Sequence, residues 1–182
     1  ENDEALVVEL YAQQFNWKAR YSGQDGVLGD ANVRFLQDFD GKNQVGIDAT
    51  DPNGIDDVIV QELQLPVGRE IILKFRSQDV LHSAYMLHFR AQMKCMPGLI
   101  TEFAFTPVIT TDEMLQKPDM IAKVKKINKI RVEKSKALVA NGEEALEPYT
   151  FDYLLLCNKI CGASHYNMQM KIIVETPEEY EK

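Results

Sequence analysis

Residues 157–168, with the sequence CNKICGASHYNM, place two cysteines, one histidine and one methionine close together in this 182-residue chain. Cys157 and Cys161 are four positions apart. His165 follows four positions later, and Met168 three positions after that. Thiolate and thioether sulfurs are soft ligands that favour copper, and imidazole also suits copper. The residue types and their spacing therefore predict a metal centre on one short segment.

Two simpler interpretations compete with copper. Cys157 and Cys161 would be about 13 Å apart on an extended strand, too far for a disulfide, although a loop or helical turn closes that gap. A disulfide needs neither the histidine nor the methionine. A structural zinc module accepts cysteine and histidine but rarely uses methionine. The complete set of side chains favours copper.

A second imidazole must come from elsewhere, because a blue mononuclear copper site uses one cysteine, two histidines and a weak methionine. The other histidines are His82, at the end of the strand-like run in SQDVLHSAYM, and His88. We expect His82 to be the ligand and His88 to be a surface or edge residue. Two thiolates, two imidazoles and a thioether exceed the needs of one copper and fit two coppers that share both sulfurs. The backbone carbonyl of Lys159 would complete the set. Such a pair suits electron transfer and leaves no open position for substrate.

Strands predominate among the elements that must position these residues. ALVVELYAQQFNW alternates at its start, with Leu6, Val8 and Leu10 on one side and Val7, Glu9 and Tyr11 on the other, which is typical of a half-buried strand. Further strands are predicted in DDVIVQELQLPVGREIILKF, GLITEFAFTPVIT, YTFDYLLLC and MQMKIIVET, with turns at Pro66–Gly68 and Pro97–Gly98. The pattern predicts an all-β sandwich or barrel, which can bring His82 beside the cysteine loop. Residues 22–57 are predicted to be loop.

Residues 110–147 differ from the rest. Thr111, Asp112 and Glu113 form a fair helix start, and apolar residues then recur at helical spacing between lysines. We predict one or two amphipathic helices that end near Asn141-Gly142. A lysine-rich amphipathic helix can lie on a membrane, or it can pack on the barrel with its lysines in water.

Charge and composition narrow the function further. The net charge is −8, but residues 119–136 carry a net +5, so the remainder carries −13. An acidic body attracts basic partners and repels nucleic acid, so we expect no nucleic-acid binding. The sequence contains no run of about 18 apolar residues, so no membrane span is predicted. The chain begins at Glu1 rather than Met, which suggests a processed or excised piece.

These motifs resemble the dinuclear CuA domain of cytochrome c oxidase subunit II. CNKICGASHYNM is similar to the family motif C-x-x-x-C-x-x-x-H-x-x-M, DVLHSAYM followed by MPG is similar to its other copper block, and YAQQFNWKARYSG is similar to its aromatic-rich early strand. The resemblance runs from about residue 6 to 109 and again from 149 to 176. It implies a cupredoxin-like Greek-key β-barrel, here a single domain over residues 1–182 with a helical insertion at 110–147.

The resemblance also implies the ligands and partners. Two copper ions would be held by His82, Cys157, Cys161, His165 and Met168, with the carbonyl of Lys159 as a further ligand. The domain would lie on the periplasmic side, anchored by N-terminal membrane helices that this chain lacks. It would take electrons from cytochrome c or a similar donor and pass them to haem in oxidase subunit I.

The sequence departs from the family at several positions. Lys159 replaces a glutamate that helps to hold magnesium, and an ammonium group cannot ligate a cation, so magnesium is not expected. Lys94 replaces an aspartate common before the Pro-Gly turn. Phe15, with Trp17 two positions on, stands where the family often has an exposed tryptophan through which electrons enter; core packing is the alternative for Trp17.

Two more residues near the expected site need a role. Cys95 has no counterpart among the ligands and is interpreted as a small buried hydrophobe. Asp79 could orient the His82 region, as groups behind metal ligands often do, or could be a turn or cap residue.

Two other classes of copper protein remain as alternatives. The CuA domain of nitrous oxide reductase has the same Cys-Cys-His-Met spacing, but that enzyme also needs a histidine-rich cluster that three histidines cannot supply. A copper chaperone of thioredoxin fold uses C-x-x-x-C and a distant histidine. It would show alternating strands and helices, with that histidine after the cysteines.

Overall fold

The computed structural model describes residues 5–37 and 42–181. Its strands are β1 (Leu6–Gln13), β2 (Asn16–Tyr21), β3 (Val58–Val60), β4 (Leu63–Pro66), β5 (Ile71–Ser77), β6 (His82–Met86), β7 (Ala91–Cys95), β8 (Thr101–Phe105), β9 (Tyr153–Cys157) and β10 (Gln169–Glu175). They form two five-stranded sheets, one in the order β3-β2-β1-β5-β8 and the other β4-β10-β9-β6-β7. The predicted all-β sandwich is therefore confirmed.

Pairing within the sheets is mostly antiparallel, with one parallel pair in each. β1 runs parallel to β5, and β4 runs parallel to β10. One strand was predicted on each side of the Pro66–Gly68 turn, but the segment before the turn forms two strands, β3 and β4. β4 and β5, which flank the turn, enter different sheets. Gly68 has φ +83°, which favours glycine over other residues at this crossing.

The core lies between the two sheets and is made of side chains from alternate strand positions. Its large apolar residues with no measurable exposure include Val8, Leu10, Trp17, Leu63, Leu65, Ile71, Leu73, Phe75, Leu155 and Ile172. Burial of each large apolar side chain contributes about 1.5–3 kcal/mol. The core extends to the metal end of the barrel, because Cys157, Cys161 and Met168 belong to the same apolar cluster.

β1 is buried on both faces, which differs from the predicted half-buried strand. Glu9 and Tyr11, expected to face outward, are only 3% and 2% exposed. The Glu9 carboxylate pairs with Arg20 at 2.9 Å and with Arg76 at 3.0 Å. Arg20 also reaches Asp57 at 3.0 Å, and Arg76 donates to the carbonyl of Ala31. The described parts of the predicted loop, residues 22–37 and 42–57, thus cover the outer face of this sheet and are held there by charged groups.

The helical region was predicted at the correct place. α1 (Thr111–Leu115) begins with a capping box in which Thr110 accepts from the Glu113 N–H. α2 (Pro118–Ala140) starts with proline in its first turn and ends at Asn141-Gly142. A short α3 (Pro177–Tyr180) follows β10.

α2 packs on the barrel mainly through its first turns, where Met120 is buried and Val124 is half-buried. Most of its lysines face water. The returning segment follows the helix back, and the Asn128 side chain pairs with both backbone groups of Tyr149. None of the helices in the described part of the chain is long and apolar enough to cross a membrane.

Candidate metal centre

The predicted ligands lie at one end of the barrel, where three strand ends of the second sheet meet. β9 ends at Cys157, β10 begins just after Met168, and β6 begins at His82. β9 pairs with β6 so that Ala84 lies opposite Cys157, and the Asn158 N–H donates to the carbonyl of Ser83 at 2.8 Å. This register places His82, 75 positions away in sequence, directly beside the first cysteine.

The two cysteine sulfurs lie 3.8 Å apart. A disulfide bond is about 2.05 Å long, so the cysteines are free thiols and the disulfide interpretation does not describe this structure. Both are nearly buried, with 9% and 7% exposure for Cys157 and Cys161. The separation leaves room for metal between the sulfurs.

Four further donor atoms surround the sulfur pair. Nδ1 of His82 lies 3.7 Å from the Cys157 sulfur, and the carbonyl oxygen of Lys159 lies 3.2 Å from it. Nδ1 of His165 and Sδ of Met168 lie 3.6 Å and 3.9 Å from the Cys161 sulfur. Each sulfur thus has one imidazole beside it and one weaker donor, as two adjacent metal positions would require. The donor atoms of His82 and both cysteines all lie within 4.8 Å of one another.

His82 is held in one orientation by Asp79. Its Nε2 lies 2.9 Å from Oδ1 of Asp79, and the imidazole is 1% exposed. Burial alone would raise the pKa of Asp79, but hydrogen bonds from His82 and from the N–H groups of Gln14 and Val80 lower it. The carboxylate can only accept, so Nε2 carries the proton and Nδ1 keeps its lone pair toward the sulfurs.

The turn between β1 and β2 supports the cysteine loop from the other sheet. Gly162 has φ +147°, and a Cβ there would lie 2.7 Å from Cζ of Phe15. The side-chain amide of Gln14 donates to the carbonyl of Cys161, while its backbone N–H donates to Asp79 at 2.7 Å. Gln14 and Gly162 were not identified from the sequence. Gly162 could have been suspected because it directly follows a ligand, whereas Gln14 offers no local signal.

Backbone contacts within the loop of residues 157–168 hold the remaining donor groups in place. The Cys157 N–H donates to the Met168 carbonyl at 3.1 Å, so the two ends of the loop are joined. A short 3-10 turn over His165–Asn167 directs the imidazole inward. Burial and the neighbouring Cys157 raise the pKa of the Cys161 thiol to about 11. At neutral pH this thiol keeps its proton until a metal displaces it.

Trp17 and Phe15 both lie beside the site, but in different environments. Trp17 has no exposed surface and makes an edge contact with the His82 ring, at 6.2 Å between centroids. Phe15 is half-buried against Gly162. Of these two aromatic residues, only Phe15 therefore presents any surface to a partner.

His88 and Cys95 lie outside the group of donors, as expected. His88 is exposed and packs edge-on against Phe151, with ring centroids 5.0 Å apart. Cys95 is fully buried opposite His82 in the β6–β7 pair, and burial raises its pKa to about 12. Its interpretation as a small hydrophobe is confirmed.

Comparison with known proteins agrees with this description. No protein-family model matches the chain. Over 179 residues, or 97% of the chain, it is 33% identical to alternative cytochrome c oxidase subunit 2 of Bradyrhizobium diazoefficiens and covers 49% of that protein. It is 25% identical over 125 residues to cytochrome c oxidase subunit 2 of Thermostichus vulcanus, covering 68% of the chain and 25% of that protein. The chain spans at most about half the length of these relatives.

Solved structures show the same fold. The periplasmic domain of cytochrome oxidase subunit II from Bradyrhizobium japonicum superposes with a TM-score of 0.54, at 16% identity, over 98% of this chain and 90% of that one. A second match, with a TM-score of 0.50 and 17% identity, covers 98% of this chain and 87% of a subunit II domain captured in a mixed disulfide with a thioredoxin-like protein. The resemblance inferred from the copper motifs is confirmed: the chain is a homologue of cytochrome c oxidase subunit 2, corresponding to about half of that protein, with the cupredoxin-like fold of its periplasmic domain.

Proposed function

We propose that the chain holds two copper ions between Cys157 and Cys161. The observation that carries the proposal is the sulfur separation of 3.8 Å, with an imidazole nitrogen within 3.7 Å of each sulfur. Met168 and the Lys159 carbonyl supply the weaker ligands. Two thiolates, a thioether and two imidazoles are donors that copper prefers, and methionine argues against zinc.

The protein side chains suit fast electron transfer. When bound, the copper pair supplies a centre that accepts and returns one electron. The ligands lie in a loop closed at both ends, His82 is fixed by Asp79, and the sulfurs are nearly buried. Rigid ligands move little when the charge of the centre changes, and burial excludes water. No substrate pocket is needed.

We infer that the chain is the electron-transfer domain of a haem–copper oxidase subunit. Its homology supports this role, as does its likeness to a periplasmic domain. The donor would be cytochrome c or a similar protein, and the acceptor would be haem in subunit I. The complete subunit would be anchored in the membrane with this domain in the periplasm. Phe15 is the proposed contact for the donor, and Trp17, two residues on, makes an edge contact with the His82 ring.

The chain is proposed to form one cupredoxin-like unit, with residues 110–147 as a helical insertion. Supporting this, the flanking strands β8 and β9 belong one to each sheet. We propose no magnesium site at Lys159, because its ammonium group cannot ligate a cation.

A thioredoxin-like protein is a further proposed partner. A related subunit II domain was captured in a mixed disulfide with such a protein. Only free thiols can hold the copper, and sulfurs 3.8 Å apart need little movement to form a disulfide. A reductant would therefore have to act before copper enters.

Copper loading of the purified chain tests the proposal. We expect about two copper atoms per chain, a purple colour, and a paramagnetic spectrum of one electron shared by two copper nuclei. Cys157→Ser and Cys161→Ser should abolish that spectrum. A colourless protein that takes up one metal ion per chain would instead support zinc binding or a chaperone role. An unchanged spectrum in either cysteine variant would refute shared thiolates.

The assignment of His82 as the second imidazole ligand can be tested against His88 as a control. His82→Ala should lose the shared-electron spectrum, whereas His88→Ala should retain it, because His88 packs on Phe151 away from the sulfurs. The opposite result would show that the second imidazole is misassigned.

A further inference from the structure

A small pocket opens beside the metal centre on the outer face of the second sheet. Its volume is about 220 Å³, and its lining includes Lys94, Lys159, Ser83, Gln92 and Asn158. Lys94 lies opposite Ser83 in the β6–β7 pair, and Lys159 comes from the cysteine loop. The fold therefore brings together two lysines that are 65 positions apart in the sequence.

The pocket carries two lysines whose charge no described residue neutralises. Neither Lys94 nor Lys159 forms an ion pair with any residue in the ranges 5–37 and 42–181. At the floor, the Ser83 side chain is buried and its hydroxyl accepts a hydrogen bond from the Gln92 amide at 3.1 Å. The hydroxyl hydrogen remains able to donate. Two lysines and one hydroxyl donor that line the same pocket can hold a carboxylate.

The surroundings favour a carboxylate carried by a protein. Exposed apolar side chains lie next to the pocket: Leu81 is 48% exposed and lines it, and Ile160, which follows Lys159, is 82% exposed. Exposed apolar side chains beside polar groups offer surface that a protein partner can bury. A free anion would have to order two flexible lysines in water, which gains little. A docked protein removes water from the lysines and is also held by the apolar contacts.

We propose that this lysine pocket receives an aspartate or glutamate side chain of a protein partner that docks on the metal end of the barrel. The proposal rests on the oxidase function proposed above, since the partner would be another subunit of that complex.

Charge reversal in the full-length subunit tests the docking. In Lys94→Glu/Lys159→Glu the pocket would repel the partner carboxylate. We expect retention of this subunit in the purified complex to fall about tenfold without divalent cations. Added magnesium should restore retention, because the carboxylates would then surround a hard cation. The ratio of subunits is measured by quantitative mass spectrometry.

Lys125→Glu/Lys129→Glu is the matched control, since it makes the same charge change on α2. This control should be retained like the native subunit. Equal losses in both pairs, or native retention of Lys94→Glu/Lys159→Glu without magnesium, would overturn the proposal. The neutral pair Lys94→Gln/Lys159→Gln, which avoids like-charge repulsion during folding, should show a smaller loss that magnesium leaves unchanged. If magnesium restored retention of the Lys94→Gln/Lys159→Gln subunit, the docking proposal would also be overturned.

Acetate and phosphate titrations of the native chain, followed by NMR, separate the two sources of anion. We expect no saturable shifts at Ser83 and Asn158. Saturable binding that Lys94→Gln removes would assign the pocket to a free anion and overturn the docking proposal. Lys94→Gln should keep the copper spectrum, because its side chain is outside the proposed ligand set. If the copper proposal is wrong, the native chain itself will lack the copper spectrum. That outcome is distinct from a failure of the docking proposal, which appears only in the lysine variants.

Discussion

Asp79 accepts a hydrogen bond from Nε2 of His82 at 2.9 Å, and the opposite nitrogen of the same ring lies 3.7 Å from the Cys157 sulfur. The carboxylate thereby fixes which nitrogen faces the metal position. Asp79→Ala should lower copper affinity by about 10–100-fold, the usual effect of losing a group that orients a ligand. Competition with a chelator of known affinity measures it. Asp79→Asn, whose carbonyl oxygen can still accept, should lose less; an equal loss would contradict the orienting role.

Copper uptake should depend on pH through the Cys161 thiol. Its pKa is raised to about 11, mainly by burial, so the thiol is protonated at neutral pH and copper must displace that proton. As the pH falls, more free protons compete with the metal, and this thiol alone should weaken affinity by about tenfold per pH unit. Chelator competition between about pH 6 and 8 measures the slope. Cys161→Ser should show a shallower slope, and a flat response in the native chain would contradict the prediction.

Gly162→Ala should damage both the loop and the metal centre. The new Cβ would lie 2.7 Å from Phe15, and φ of +147° is unfavourable for alanine. We expect a loss of about 1–3 kcal/mol in the free energy of unfolding and weaker copper binding. Urea unfolding of the copper-free chain gives the first quantity. Gly142→Ala is the control, because Gly142 also has positive φ but has open space around it. It should leave copper affinity unchanged.

Arg20→Met should be strongly destabilising. Arg20 is 3% exposed and pairs with Glu9 and Asp57, so its loss leaves Asp57 without its cation and Glu9 with Arg76 alone. Breaking a buried ion pair in this way costs about 3–5 kcal/mol. Lys136→Met is the comparison, since the exposed pair of Lys136 with Glu133 should contribute at most about 1 kcal/mol. Similar urea midpoints for the two variants would show that Arg20 is not critical for holding the 22–57 loop.

The sequence was most informative where chemistry or periodicity is local. The spacing of Cys157, Cys161, His165 and Met168 identified a candidate site because one loop carries all four. Alternating residues identified most strands, and the lysine-rich helical pattern identified α2. His82 was found because the chain has few histidines and a barrel can bring distant strand ends together.

Other features depend on which strands become neighbours, and local sequence does not contain that information. Glu9 was expected to face water, but pairing of β1 with β2 and β5 brought Arg20 and Arg76 to it. The loop 22–57 has no apolar period that would predict its packing over this sheet. In the same way, the pairing of β6 with both β7 and β9 brings Lys94 and Lys159 to one pocket.

Because the proposed ligands come from only one loop and one strand, the metal centre could be transferred to another protein scaffold. Residues 157–168 would bring every proposed side-chain ligand except one into any recipient sandwich with two adjacent antiparallel strands to receive the loop ends. The host would need a histidine two residues before the position that faces the first cysteine, as His82 lies two residues before Ala84. It would also need a hydrogen-bond acceptor for the outer ring nitrogen of that histidine, as Asp79 provides for His82. Grafting the site onto an unrelated scaffold thus reduces to one loop exchange and two point substitutions.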